Sequence, residues 1–425
     1  MSNLINNKTL WISLIAIILI AVLFLSSDTK QVNTITVVVR EGLESEGLRK
    51  VAEVWSTNRD VEVQFETRGR KGYPEKVISD LKNSKPKIDV LFFPGTHVAQ
   101  LAHSNLLEPI RYWSPDDDQD LLSFSSYKGK IYGLPCDIST FLTFYRSDYL
   151  DSPPKTWNEL LAYANSSLTN SGTNHDSVKY HLAIAGMAGE ELPKIFYPIL
   201  WSYGGSIFDD KGMPNINSSE ALMAANLFKD LLSSPGTPQD IESWGVIEIL
   251  DSYLAGEVIL TTPQWNALYP YFSENQDMPG KNLGVALIPG VVNSEGKITR
   301  VNFKHTWDLV LPKTGVENRL ELANDFILFA TGREGSSIYA STNRGNPARK
   351  SILENTDLQL KRPEFPLMLQ SIQEARSEPS VVFYGAMHDI INRALSYIIS
   401  GAKSPEKALD DAANELAIEQ KNIME

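Results

Sequence analysis

From Ile35 to Ala102 the chain switches repeatedly between two periodicities, and this alternation restricts its architecture more than any other feature. The run ITVVV (Ile35 to Val39) is short, continuous and apolar, as expected of a strand buried on both faces. Leu48, Val51, Ala52 and Trp55 then recur at helical spacing. Val61 to Phe65 alternates as a second strand, Tyr73 to Leu81 reads as a helix, and Ile88 to Phe93 (IDVLFF) reads as a third strand. Val98, Leu101 and Ala102 mark the helix after it. Strand, helix, strand in series predicts an α/β fold with a parallel sheet flanked by helices. In such sheets ligands collect beyond the carboxyl ends of the strands, which points to three loops: Arg40 to Ser45, Arg68 to Tyr73, and Pro94 to His97.

At 425 residues the chain exceeds what a single hydrophobic core usually serves, which predicts roughly two or three domains or lobes. Its 42% hydrophobic and 21% charged residues are ordinary for a globular protein. A formal net charge of -13 argues against nucleic acid or an anionic membrane face as the main partner, because both demand clustered Lys and Arg. The one short basic cluster, Arg68, Arg70 and Lys71, reads as a solvated turn.

Lys8 precedes LWISLIAIILIAVLFL (Leu10 to Leu25), a run apolar on every side that gives way to Ser26-Ser27-Asp28-Thr29-Lys30. This is an export segment. It is slightly shorter than the ~20 residues that span a bilayer and slightly longer than a common signal-peptide core, so anchor and signal peptide compete. The absence of small residues at a cleavage position favours an uncleaved anchor. Localisation at the periplasmic or extracellular face of the cytoplasmic membrane follows, with residues 10–25 as the tether or export signal. The single cysteine, Cys136, excludes an intramolecular disulfide, and no cysteine follows the apolar run to accept a lipid. It reads as a small buried hydrophobe.

Searches for catalytic and metal chemistry find no supporting pattern. The six histidines include no HExxH spacing. Asp116, Asp118 and Asp120 imitate the start of a calcium loop, but Leu121 stands where a glycine is needed, and the set reads as a solvated acidic turn. Neither GxxxxGK[ST] nor G-x-S-x-G is present. The expectation is no catalytic residue, no metal and no cofactor.

The segment Gly129 to Asp148 (GKIYGLPCDISTFLTFYRSD) is apolar, strand-prone and punctuated by Gly129 and Pro135. After it Thr156 to Ala164 opens a helix with a cap, Thr156 lying three residues before Glu159. A helix from Ser218 to Leu232 and a strand from Val258 to Thr262 follow. The succession KGKIYGLPCDISTFLTFYRSDYL, PKTWNELLAYA, WSYGGSIFDDKG, YLAGEVILTTPQW, TWDLVLPKTG and RGNPARKSIL resembles the family 1 extracellular solute-binding proteins of ABC importers, which include the maltose-binding-like sugar binders. His388 to Ala417 resembles the family's closing helices, so the likeness covers nearly all of the chain from Ile35 onward.

The resemblance implies a two-lobed periplasmic-binding-protein-like fold, each lobe a mixed, mostly parallel sheet flanked by helices, with ligand held between. The expected division is 1–30 as signal or anchor, 31–142 plus 303–350 as the first lobe, and 143–302 plus 351–425 as the second. Gly129 to Asp148 would be the first crossing strand, with further crossings near Gly296 to His305 and Lys350 to Glu354. The implied function is capture of a sugar or oligosaccharide by lobe closure and delivery to ABC permease subunits, by a monomer. A membrane-anchored solute sensor and, further off, a saccharide-acting enzyme fit the same fold.

Sugar rings present C–H bonds on one face and hydroxyls at the rim, so aromatic rings suit the face and polar groups the rim. Trp265 matches the family's stacking tryptophan, and Trp201, Tyr203 and Trp307 are further aromatic candidates. Glu41, Glu44, Tyr73, Thr96, His97, Asp137, Thr140 and Arg344 are the polar ones, chosen for bidentate or rim hydrogen bonding. The basic residues at 68–71 depart from the family pattern and admit an acidic sugar or another anionic solute.

Overall fold

The computed structural model describes residues 33–57, 59–83, 87–167, 178–274, 282–313 and 319–424. The expected anchor, residues 10–25, lies outside them, and among the described residues no helix is long and apolar enough to cross a membrane.

Strand β1 (Asn33–Arg40), helix α1 (Leu43–Ser56), strand β2 (Val61–Arg68), helix α2 (Tyr73–Asn83), strand β3 (Val90–Pro94) and helix α3 (Val98–His103) follow the order the sequence predicts. β1 runs parallel to both β2 and β3. β3 is buried throughout, whereas β2, at the sheet edge, alternates half-buried and exposed side chains. That contrast is the expected difference between a strand covered on both faces and one covered on a single face.

Two long strands organise the rest. β4 (Lys130–Arg146) lies within the predicted crossing segment. Its first half pairs antiparallel with β8 (Asn302–Pro312), from Gly133↔Val310 to Thr140↔Lys304. Its second half pairs with β6 (Val258–Trp265) and with β7 (Leu283–Ala286), and β5 (Tyr180–Ala183) runs parallel to β6 on its far side. The sheet order is therefore β2-β1-β3-β8-β4-β6-β5.

Two large hydrophobic cores and one small cluster share this sheet. Ile138 of β4 and Trp307 of β8 belong to one, with β1, β3 and α1. Phe141 of β4 and Phe303 of β8 belong to the other. Both strands thus leave one core and enter the next at the same level, where Asp137, Ser139, Thr140 and His305 interrupt the apolar pattern. Cys136 is buried just before this step, in the first core.

The second core is built on α4 (Trp157–Ala164), α5 (Leu192–Ser202), α6 (Ser219–Leu232) and Ile249 of α7 (Val246–Leu254), while Leu250 and Tyr253 of α7 and Phe272 of α8 (Tyr269–Glu274) pack on Leu142 and Phe144 of β4 in a smaller third cluster. Thr156 and Glu159 form the predicted capping box, each side chain accepting a backbone N–H of the first turn. After β8 the chain rejoins the first core through α9 (Leu320–Thr331) and α10 (Arg333–Ser341), where Asp325 accepts the Trp55 indole N–H at 3.1 Å. It stays there longer than expected: Leu353 and α11 (Phe365–Gln373), with Phe365, Met368 and Ile372, pack in the first core. Residues 375–376 then pair with the start of β8 (Asn302↔Ala375). Only α12 (Tyr384–Ile399) and α13 (Pro405–Met424) complete the second core.

The acidic turn is also not left to solvent. Arg349, nearly buried, donates to both oxygens of Asp118 at 2.9 and 2.6 Å, and Asp120 accepts from Arg333 and Ser351. The Asp carboxylates clamp an arginine and are spent on structure.

Candidate functional site

Where β4 and β8 step between cores, their polar residues form the floor of a cavity of ≈ 370 Å³. Asp137 and Ser139 come from β4, and His305 and Trp307 from β8. One wall carries Arg40, Glu44, Arg70 and Arg344 from the first half; the other carries Glu190, Glu191 and Lys194 near α5, residues of α7, and Trp265 with the segment behind it. The location follows from the fold: Arg40 ends β1 and Arg70 follows β2, the carboxyl-end positions at which the sheet opens.

The floor is rigid and aromatic. Trp307 stacks on Phe92, ring centroids 5.1 Å apart, and the Arg40 guanidinium lies 4.2 Å from its centroid. His305 sits among Trp265, Phe303 and Trp307, all within about 6 Å, and burial pushes its imidazole well below the ordinary range, so it is neutral. Its Nδ1 has no hydrogen-bond partner among the described residues.

Several charges in the walls are paired. Arg40 binds Glu44. Lys194, nearly buried, donates to Glu190 at 2.8 Å. The ammonium holds the Glu190 carboxylate well below the usual range. Burial works against the Lys194 charge, but Glu190, Glu191 and Glu378 outweigh it and raise its pKa. The Trp265 indole N–H donates to Glu191 at 2.6 Å. Asp137 accepts from the Tyr339 hydroxyl at 2.9 Å, the Asn346 backbone N–H at 2.8 Å and the Ser139 hydroxyl at 3.2 Å. Burial nonetheless raises its carboxyl to about 6. Among the described residues no group of His, Cys, Asp or Glu could hold a metal ion.

A second recess of ≈ 490 Å³ opens between α2 and α12, and Glu190 borders both spaces. His97 lines it, with its ring 4.5 Å edge-on from that of Tyr384 and its pKa pushed down to about 4 by burial.

Of the residues singled out in the sequence, Glu44, Asp137, Trp265, Trp307 and Arg344 meet in the cavity, and His97 lies in the neighbouring recess. The others do not reach the cavity. Tyr73 is buried with its hydroxyl donating to Phe92 O at 2.8 Å. Thr140 is buried, and its hydroxyl donates to Phe303 O, tying the crossing strands together. Trp201 stacks on Tyr197 and Phe303 inside the second core, and Tyr203 packs against that core. Glu41 points to solvent, and Thr96 bonds the Tyr384 hydroxyl. Arg70 is exposed, as the solvated-turn reading expects, and also lines the cavity.

Residues 51–366 match the family described as bacterial extracellular solute-binding protein. The chain belongs to that family. A galactooligosaccharide-binding protein of Bacillus subtilis (strain 168) is 24% identical over 392 residues, 87% of this chain and 85% of the relative. A maltooligosaccharide ABC transporter solute-binding lipoprotein of Streptococcus pneumoniae serotype 4 is 24% identical over 406 residues, covering 91% and 88%. Among solved structures, maltose-bound MalE3 of T. maritima superposes with a TM-score of 0.78 at 23% identity, covering 91% of this chain and 99% of that one. The GacH receptor of Streptomyces glaucescens, solved unliganded and with acarbose, gives 0.75 at 20% identity, covering 90% and 97%. The fold is thus the two-lobed one of these proteins, and the family is one of binding proteins, not enzymes.

The cavity also holds Arg40, from the first of the three expected ligand loops, and four residues outside the sequence candidates: Glu190, Glu191, Lys194 and His305. Two of them left a signal. Lys194 is the one charge in the apolar helix LPKIFYPILWS, and His305 falls between Phe303 and Trp307 in a strand that alternates. A polar group in an apolar element needs a reason.

Proposed function

We propose that the chain captures a carbohydrate between its two lobes and passes it to the permease of an ABC importer. The carrying observation is that β4 and β8 cross between cores at one level, so that side chains from both cores face a single cavity. A solute bridging both walls favours the closed arrangement by its differential contacts. The paired charges of Arg40, Glu44, Glu190 and Lys194 suit hydroxyls, which accept and donate at once. The relatives named for galacto- and maltooligosaccharides support the solute class. Trp265, Glu44, Asp137, Trp307 and Arg344 are the proposed cavity residues, with His97 at its margin. The proposed lobes are 33–138 with 307–372, and 141–303 with 384–424, acting as a monomer. Residues 10–25 hold it at the outer face of the cytoplasmic membrane.

The test is a thermal-shift screen of malto- and galactooligosaccharides, monosaccharides and polyols. At a hundredfold excess over Kd a ligand adds about 2.7 kcal/mol to folded-state stability, easily read as a higher Tm. A screen in which amino acids or peptides raise Tm while no carbohydrate does would refute the assignment.

A further inference from the structure

Helix α7 packs Ile249, Leu250 and Tyr253 in the core, and the edge of its apolar surface reaches the cavity. Ile249 and Tyr253 turn inward, Tyr253 meeting Phe272 at 4.9 Å. Val246, Ile247, Leu250 and Leu254 fall at i, i+1, i+4 and i+8, a single face, and that face lines the cavity together with Leu268. Ile247 is 48% exposed. Across from it stand Arg40, Glu44, Arg70 and Arg344, above the floor residue Asp137, while Lys194 and Glu190 lie beside it. The cavity therefore has one charged wall, and a second wall on which an aliphatic face of α7, edged by Asp251, lies beside the charged residues near α5.

An aliphatic surface gives a sugar hydroxyl no partner, and covering the hydroxyl with it costs free energy. It also lacks the flat π face that ring C–H groups prefer. A contiguous aliphatic patch kept in a binding cavity fits hydrocarbon. We propose that the solute is amphiphilic: a hydroxylated head held at the Arg40–Glu44 and Lys194 side, and a short alkyl, acyl or aryl substituent laid on Val246, Ile247, Leu250, Leu254 and Leu268. This rests on the carbohydrate-binding reading and adds the substrate class. The volume of ≈ 370 Å³ sets the substituent's length. It is near the small end of ligand pockets, which admits a head with a short chain and excludes a long lipid tail.

The experiment compares free maltose and galactose with their methyl, butyl and hexyl glycosides, titrated into the full-length protein by calorimetry. Each methylene laid on the wall should tighten binding about fourfold, so butyl should exceed methyl by tenfold or more for one of the two heads. Ile247→Asn, at a half-exposed position that tolerates polarity, should bring the butyl-to-methyl ratio down toward one, and Leu254→Asn provides a second reading. Free sugars that bind as tightly as their butyl glycosides would overturn the amphiphile while leaving carbohydrate binding intact. A chain-length gain that survives both substitutions would overturn the α7 assignment. If no sugar and no glycoside binds, both readings fail together.

Discussion

Replacing Asp137 by Asn should stabilise the ligand-free protein at neutral pH and change it little near pH 4. The side chain is nearly buried at the step between the two cores, and three donors, Tyr339, Asn346 and Ser139, address its oxygens. Burial outweighs those bonds and raises the carboxyl from 3.8 to about 6. Two pH units correspond to about 3 kcal/mol by which the ionised group opposes folding at pH 7. The sign follows from proton binding: between pH 4 and 6 the folded protein holds the proton more tightly than the unfolded chain. The contribution is present in full below about 4 and is lost as pH rises through about 6. Asparagine keeps the shape. Its carbonyl oxygen can still accept from Tyr339 and Asn346, and its NH2 can donate to a rotated Ser139 hydroxyl. Urea denaturation of both proteins at pH 4 and pH 7.5 gives the comparison. The Asn protein's advantage should be larger by about 2 to 3 kcal/mol at the higher pH. Asp308, also raised to about 6 by burial, is present in both and cancels. An advantage that is the same at both pH values, or a destabilised Asn protein at pH 7.5, would refute the account.

Trp265→Ala should weaken binding of the best carbohydrate at least about tenfold, because a buried aromatic anchor commonly carries 1.4 kcal/mol or more; equal Kd values in a fluorescence titration would remove Trp265 from the site. Trp201→Phe, inside the second core, should lower stability by about 1 to 2 kcal/mol while Kd stays within twofold; a large change in Kd would return Trp201 to the cavity. Arg349→Met should cost about 3 to 5 kcal/mol at pH 7, since it removes the buried arginine that donates to both oxygens of Asp118. The hydrogen bond from Arg349 depresses the Asp118 pKa despite partial burial. Its stabilisation is therefore present above pH 4 and fades as pH falls through the depressed value. Thermal unfolding should show the gap between the two proteins narrowing as pH falls below 4, and a gap that stays constant on acidification would count against the clamp.

Much of the fold was legible because its signals are local. ITVVV, the alternation of Val61 to Phe65 and the Thr156–Glu159 box each state a backbone preference within a few residues, and each formed as read. The loops after β1 and β2 were legible as a ligand region for the same reason, since strand direction alone says where a parallel sheet opens. Which side chain in those loops turns inward was not. Arg40 and Glu41 are neighbours, yet Arg40 lies over Trp307 while Glu41 is exposed. Trp201 and Trp265 are alike as aromatic residues flanking apolar elements, and only the packing of Tyr197 and Phe303 puts Trp201 out of reach of solute.

By itself, then, the sequence determined the α/β class, the succession of strands and helices in the first half and the long strand within Gly129 to Asp148. The tertiary structure decided where the chain changes cores and which polar groups stand at the step. It also decided that Asp118 and Asp120 serve Arg349, and that the edge of the apolar surface of α7 reaches the cavity. The reason is one of range. Secondary structure follows from sterics and periodicity between neighbours, whereas the cavity is made by residues hundreds of positions apart, whose burial is settled only when the two cores close on shared strands.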